Sequence, residues 1–326
     1  MHADNIPTLT VIITNYNHGR FVDEALNAIV SQSVKPDEII IVDDASTDNS
    51  AEVIALFAKE NKRVQFLKNK TNRGVLHNGN KLLRMAGGDF IFWAASDDIV
   101  LPGFFEQSLG MLSLHPNAGL CFSDPATLDD ATGAIKEAPL FLTGQPDYFS
   151  PDALADLVRR KSFTIDSHTA IVNRTGLIEA GGYMPDLKWC SDWFVMQLLG
   201  FRKGACYVPK ALTAFRIFPA SYYNAGAGQP EAQDEIVRRI LEYLDSAQFR
   251  DALPLFLRSG ILSSFHINLL RVALKNRRYR RFLSSETILK SIRLAIINKL
   301  YPVTPESLKR LYRLIAGRQR KKEEGA

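Results

Sequence analysis

DFIFWAASDDIV, residues 89–100, carries an apolar run directly into two adjacent carboxylates, Asp97 and Asp98. A short apolar run rich in aromatic residues predicts a strand buried on both faces. Three earlier stretches share that character: LTVIIT (9–14), EIIIVDD (38–44) and VQFLK (64–68). Between them lie RFVDEALNAIVSQ (20–32), NSAEVIALFAKE (49–60) and GVLHNGNKLLRMA (74–86), whose apolar residues recur at helical spacing. The β-α-β-α-β-α-β order predicts an α/β fold, a Rossmann-like and mostly parallel sheet with helices on both faces. Such sheets bind ligands beyond the carboxyl ends of their strands. The first, second and fourth strands end in TNYN, DDAST and SDD, so polar groups are expected to gather at that one rim.

Beyond residue 103 the pattern changes. FFEQSLGMLSLH (104–115) predicts a helix, AGLCFSD (118–124) a strand, and residues 125–151 a long irregular excursion of the kind that often carries function. HTAIVNR (168–174) returns to strand, and KWCSDWFVMQLLGF (188–201) has helical spacing through Trp189, Trp193, Met196 and Leu199. Past SYYNAGAGQP (221–230) helical patterning continues to the end. The chain is therefore expected to divide into a sheet domain, 1–225, and a helical, basic C-terminal region, 226–326.

Composition narrows the class. A chain of 326 residues, 46% hydrophobic and 23% charged, can bury a sizeable core. Three cysteines without a CxxC pair argue against a zinc site or a dense disulfide framework, and fit a reducing cytosol. The first residues lack the pattern of a signal peptide, and no run of about 18 apolar residues predicts a membrane span. Charge is unevenly distributed. Residues 1–270 hold 24 Lys and Arg against 31 Asp and Glu, while residues 271–326 hold 16 against 4. The basic tail, with KNRRYRRF (275–282), is either a solvated helix face or a contact for a phosphate-bearing surface such as anionic lipid. Within it, residues 286–300 set Ile288, Leu289, Ile292, Ile296 and Leu300 against Lys290, Arg293 and Lys299. No nucleic-acid partner is expected, because the motifs belong to small-ligand chemistry.

Asp97 or Asp98 could cap the helix predicted around Pro102 to Ser108, but one aspartate suffices for a cap. A second places like charges together at a partly dry rim, where a divalent cation would compensate them. Magnesium and manganese suit such oxygen ligands. Asp48 or Ser46 can cap the helix beginning near Asn49. Asp43 and Asp44 stand at a strand end, where an aspartate can accept hydrogen bonds from a ribose or a pyrimidine. TNYNHGR (14–20) supplies Thr14, Asn15 and Tyr16, whose ring could stack on a base, while His18 reads as a turn residue. Neither GxGxxG after the first strand nor GxxxxGK[ST] anywhere is present, so nicotinamide and P-loop chemistry lose support.

TNYN, DDASTD (43–48), NRG (72–74), ASDDIVLP (95–102) and CSDW (190–193), in this order, resemble glycosyltransferase family 2 over roughly residues 7–220. The resemblance implies a GT-A fold, a nucleotide-diphosphate sugar as donor, a divalent metal, and inversion at the anomeric carbon. It matches Thr14, Tyr16 and Asp44 to base and ribose contacts, and Arg73 to the nucleotide-proximal loop. Ser96 falls at the middle of the family's D-x-D, Asp97 at its metal-binding carboxylate, Asp98 at the trailing aspartate, and Asp192 at the catalytic base. Three positions depart from the pattern: Ala95 replaces the first aspartate of D-x-D, Ser191 a glutamate, and Phe218 a frequent histidine.

The expected enzyme moves a sugar, from UDP by preference, to a hydroxyl of a glycan or lipid-linked acceptor. It would be cytoplasmic, or peripheral on the inner face of the membrane. Two alternatives stand beside it, a nucleotide-sugar-binding protein with lapsed catalysis and a sugar-phosphate nucleotidyltransferase.

Overall fold

The computed structural model describes residues 6–218 and 230–300. The first four strands fall where the apolar runs predict them: β1 (Leu9–Asn15), β2 (Glu38–Asp43), β3 (Val64–Lys68) and β4 (Phe90–Ala95). They alternate with α1 (Val22–Val30), α2 (Ser50–Glu60) and α3 (Val75–Met85). Next come β5 (Ile99–Val100), α4 (Phe104–Leu114), β6 (Leu120–Asp124), β7 (Ala126–Asp129), β8 (Ile135–Glu137) and β9 (Asp147–Phe149). The sheet domain closes with α5 (Pro151–Lys161), β10 (Ala170–Asn173), α6 (Arg174–Glu179), α7 (Ser191–Lys203), β11 (Ala205–Ala211) and β12 (Thr213–Ile217).

The large sheet has the order β3-β2-β1-β4-β10-β6-β11-β9. Its first four strands are parallel, with Val11 opposite Ile39 on one side and Phe92 on the other. β10 runs against both β4 and β6, and β9 runs against β11. Alternate residues of each central strand feed opposite cores. Val11, Ile13, Ile39 and Ile41 pack with Leu26 of α1, Ile54 of α2 and Phe104 of α4. Ile12, Ile40, Val42 and Ile91 pack with Leu82 of α3, Leu154 of α5 and Phe194 of α7. Burial on both faces explains why these strands read as unbroken apolar runs. Truncating a side chain such as Ile12, fully buried, costs about 2–5 kcal/mol.

The excursion at 125–151 is more ordered than the sequence predicts. Two of its three short strands find partners far along the chain, β7 with β12 and β9 with β11, while β8 hairpins back on β7; β7 and β8 join β12 and β5 in a second sheet of order β5-β12-β7-β8, and β9 edges the large one. Gly133, at φ +69°, makes the β7–β8 turn in the left-handed region.

The proposed boundary at residue 225 lies outside the described residues. Beyond it, α8 (Pro230–Asp245), α9 (Leu253–Ser259), α10 (His266–Lys275) and α11 (Ser285–Leu300) follow. Ile236, Ile240 and Leu244 of α8, Phe256 of α9 and Leu269 of α10 share one buried cluster with Phe194. Arg202 pairs with Asp251 at 2.8 Å, and Arg258 with Asp152 at 2.6 Å, at the edges of that contact. Among the described residues no single helix is long and apolar enough to cross a membrane. The bent pair Leu253–Ser259 and Ile261–Lys275 approaches that character, but Phe256, Ile261, Leu262, Leu269 and Ala273 are spent inside the protein core.

Candidate active site

At the end of β2, the two aspartates are surrounded by donors. Asp43 is fully buried, and its Oδ1 accepts from Asn15 Nδ2 at 2.9 Å and from Ser46 Oγ at 2.5 Å. Its second oxygen takes the Ser46 amide at 3.1 Å. Asp44 accepts the Arg73 and Gly74 amides and the Asn69 side chain, each at 2.8 Å. Burial pushes the Asp44 carboxyl upward, but Asn69 and the two amides outweigh it and hold the group below its ordinary range. Gly74 stands at φ +87°, which lets NRG fold its main chain onto Asp44 and leaves the Arg73 side chain exposed. Asp48 takes the amide and hydroxyl of Ser50 at the start of α2, although the N-cap position falls on Asn49, which makes no side-chain cap bond.

At the end of β1, Thr14 Oγ1 accepts from Trp93 Nε1 at 3.3 Å, and Tyr16 is 45% exposed. The Trp93 ring lies edge-on to Tyr183 at 4.3 Å and fills the space above Gly79, where a Cβ would come within 2.4 Å of it. A glycine in mid-helix costs about 1 kcal/mol, and this close approach is its reason.

The end of β4 is arranged differently. Ser96 is buried, with Oγ 2.9 Å from His18 Nδ1, and the same nitrogen is 3.7 Å from Asp97 Oδ1. Phe218 packs edge-on against His18 at 6.0 Å. Asp98 Oδ1 accepts the Arg216 amide at 2.9 Å, while Arg216 Nε donates to the Asp97 carbonyl at 2.7 Å. The Arg216 guanidinium, 7% exposed, also reaches Glu24 at 2.5 Å and Asp130 at 3.3 Å and lies over the Phe21 ring. Neither aspartate caps α4: that helix starts from Gly103, at φ +88°, and the Phe104 amide goes to Gln32 Oε1. Burial and the neighbouring Asp97 charge push the Asp98 carboxyl up to about 8, against the pull of Arg216. Burial raises Asp97 as well, opposed by His18 and Arg216. The surroundings of this rim therefore do not favour ionising both carboxyls together.

Such a donor set fits a hard divalent cation, which takes one or two carboxylates and completes its shell with water and substrate phosphates. Among the described residues no group of three or more His, Cys, Asp or Glu side chains forms a protein cage. Of these side chains, Asp97, with His18 Nδ1 3.7 Å from it, is the one that could hold such an ion.

Asp192 lies in the first turn of α7. Its carboxylate accepts from Ser167 Oγ and from the Trp193 amide, each at 2.7 Å. Burial raises its pKa, Ser167 and the Trp193 amide oppose that rise, and the Asp166 charge adds to it. A carboxyl whose burial raises its hold on a proton is a better proton acceptor than an exposed aspartate. The 3-10 turn Ser167–Thr169 joins this element to the β4 rim, since His168 and Asp98 line the same small cavity of about 10 Å³. Lys188, four residues before Asp192, stands at φ +49°, a left-handed conformation rare for a side chain of this kind.

The structure thus gathers Thr14, Asn15, Asp43, Asp44, Ser96, Asp97 and Asp98 at the ends of three adjacent parallel strands, and connects Asp192 to them through Ser167 and His168. The motifs did not point to His18, Ser167 or Arg216. His18 directly follows TNYN, which was the available signal; Arg216 carries none, because its partners lie 86 to 192 residues away.

Residues 10–178 match the model of glycosyl transferase family 2. An uncharacterized glycosyltransferase of Nostoc sp. is 34% identical over 231 residues, covering 69% of this chain and 70% of that protein. Glycosyltransferase GlyG of Streptococcus pneumoniae is 28% identical over 154 residues, 47% of this chain and 50% of GlyG. For GlyG, and for EpsE of Bacillus subtilis at 40%, the chain spans less than two thirds of the relative's length. In fold, the chain is similar to S. aureus TarS 1–349 in complex with UDP-GlcNAc, with a TM-score of 0.61 over 87% of this chain and 89% of that one at 16% identity.

Proposed function

Because the chain belongs to glycosyltransferase family 2, we propose that it is an inverting glycosyltransferase. It moves a sugar from a nucleotide-diphosphate sugar, UDP-linked, to a hydroxyl of a glycan or lipid-linked acceptor. One observation carries this reading: a braced, ionised Asp44 and an under-neutralised Asp97–Asp98 pair stand on a single rim, at the ends of the two strands that flank β1. The UDP-GlcNAc in the TarS complex supports the choice of donor.

In this assignment Thr14, Asn15, Tyr16, Asp43, Asp44 and Arg73 form the nucleotide side, with Tyr16 free to stack on the base. Ser96 and His18 fix the loop that presents Asp97. A magnesium or manganese ion held there would supply positive charge against the diphosphate leaving group. Asp192 removes the proton of the acceptor hydroxyl, with Ser167 and the Trp193 amide holding its oxygens in place. Attack opposite the leaving group inverts the anomeric centre.

The test is a panel of UDP-, GDP- and dTDP-sugars with manganese, read by melting temperature and by release of nucleoside diphosphate. One donor should raise the melting temperature with concentration and be turned over when a glycan acceptor is added. Stabilisation without turnover on any acceptor would favour a binding protein with lapsed catalysis, consistent with Ala95 in place of an aspartate. Pyrophosphate release from a nucleoside triphosphate and a sugar phosphate would favour a nucleotidyltransferase.

A further inference from the structure

Helix α11 is turned inside out relative to a core helix. Among its described side chains, the buried positions are Thr287 and Ser291, 4% and 0% exposed, whereas Leu289, Ile292 and Ile296 are 68%, 42% and 52% exposed. Positions 289, 292 and 296 follow the three-and-four spacing that puts side chains on one helix face. The side chain of Leu300, which the sequence places on the same stripe, lies outside the described residues. Helix α10, packed against α11, leaves Ile267 and Leu274 exposed as well.

The charge around this face is one-sided. Residues 271–300 hold nine Lys and Arg and one acidic residue, Glu286. Arg278 and Arg281 are engaged with Asp245, and Lys290 with Glu286. Lys275, Arg277, Arg280 and Arg293 are exposed and form no ion pair with a carboxylate among the described residues.

We propose that this face docks on an anionic lipid bilayer. An apolar stripe beside unneutralised cations suits a surface that offers acyl chains under a layer of phosphates. A second copy of the chain would bring the same positive charge and repel it, and a nucleic acid would offer phosphates but no apolar slab. The position also matters to the chemistry. Helix α11 packs on the 3-10 turn Ile261–Phe265, and Phe265 stands edge-on to Trp193 at 4.8 Å, next to Asp192. The 3-10 turn and the Phe265–Trp193 pair thus link the inner face of α11 to the element that carries the assigned base. This docking does not depend on which sugar is moved, or on whether one is.

The experiment uses the full chain and vesicles of phosphatidylcholine with and without phosphatidylglycerol. Sedimentation should be confined to the anionic vesicles and should be lost at about 1 M salt, where charge interactions are screened within about 3 Å. The triple change Leu289→Gln, Ile292→Gln, Ile296→Gln should weaken partition about tenfold to hundredfold, and so should Arg277→Gln, Arg280→Gln, Arg293→Gln. Melting curves matching the parent protein show that both variants fold. Equal sedimentation with neutral and anionic vesicles, or indifference to the apolar changes, overturns the proposal. So does a dimer of the parent protein that the apolar changes dissociate in the absence of vesicle binding, or binding to single-stranded RNA as tight as to vesicles at equal phosphate. Nucleotide-sugar stabilisation measured on the same preparations reports on the transfer reaction separately.

Discussion

Two Asp-Asp pairs of the chain stand at the ends of β2 and β4, the strands that flank β1, and their surroundings treat them oppositely. Asp43 and Asp44 accept amides, Asn15, Ser46 and Asn69, so their charge is settled by fixed dipoles within the fold. Asp97 and Asp98 are half-buried side by side, with Arg216 shared among Glu24, Asp130 and the Asp97 carbonyl. The first pair is complete without a ligand. The second is left with charge that a cation or proton must balance. A residue pair thus becomes a platform or a receptor according to how many donors the loop after its strand supplies.

The largest effect should come at Asp192, on which the receptor side depends for chemistry. Asp192→Asn retains size and hydrogen bonding but cannot take a proton, so transfer should fall about 10² to 10⁴-fold with donor affinity and KM little changed. Near-parental transfer would move the base to Asp166 or His168. Next in size, Asp97→Asn should weaken manganese binding by more than the about 10 to 100-fold typical of losing an outer partner, measured by titration calorimetry. Full parental activity in excess chelator would remove the metal from the reaction.

The comparison itself is tested by stability. Asp44→Asn replaces a charged acceptor of three donors and should cost about 1–3 kcal/mol by urea unfolding. Asp98→Asn in metal-free protein should cost less, because the neutral amide stands in for the protonated carboxyl that the fold already favours there. If the two cost the same, the contrast between the pairs fails.

The smallest effect is on pH dependence. Asp98 is raised to about 8, so between its unfolded value near 3.8 and that point the folded state binds the extra proton. Metal-free stability should therefore fall as pH rises through this window. Asp44 is lowered, so its contribution is present above 3.8 and lost only as pH falls through its folded value. Thermal melts at successive pH values should show the neutral-range slope flatten in Asp98→Asn and persist in Asp44→Asn.

Much of this was legible in the sequence because it is local. The strands β1 to β4 carry unbroken β-branched and aromatic runs, and a parallel strand end followed by polar residues marks its own rim. β11 and β12 went unread. Pro209 and Lys210 interrupt ACYVPKA at a bulge between Val208 and Ala211, and the five-residue β12 carries Arg216 one position from its end. A buried arginine makes sense only once its partners are known. The same holds for His18, whose place beside Asp97 is fixed by strand order, and for α11, whose apolar stripe faces outward when periodicity alone would turn it inward.

Arg216 also sets a clock. It follows Asp98 by 118 residues, so at a ribosomal pace of about 5–20 residues per second it is synthesised roughly 6 to 24 s after the carboxylates it steadies. Through that interval the emerging parallel strands carry an acidic pair whose arginine has not yet been made. The nascent chain must wait for β12 before the rim can take its shape. A fragment ending at residue 178, where the family match stops, would never receive it.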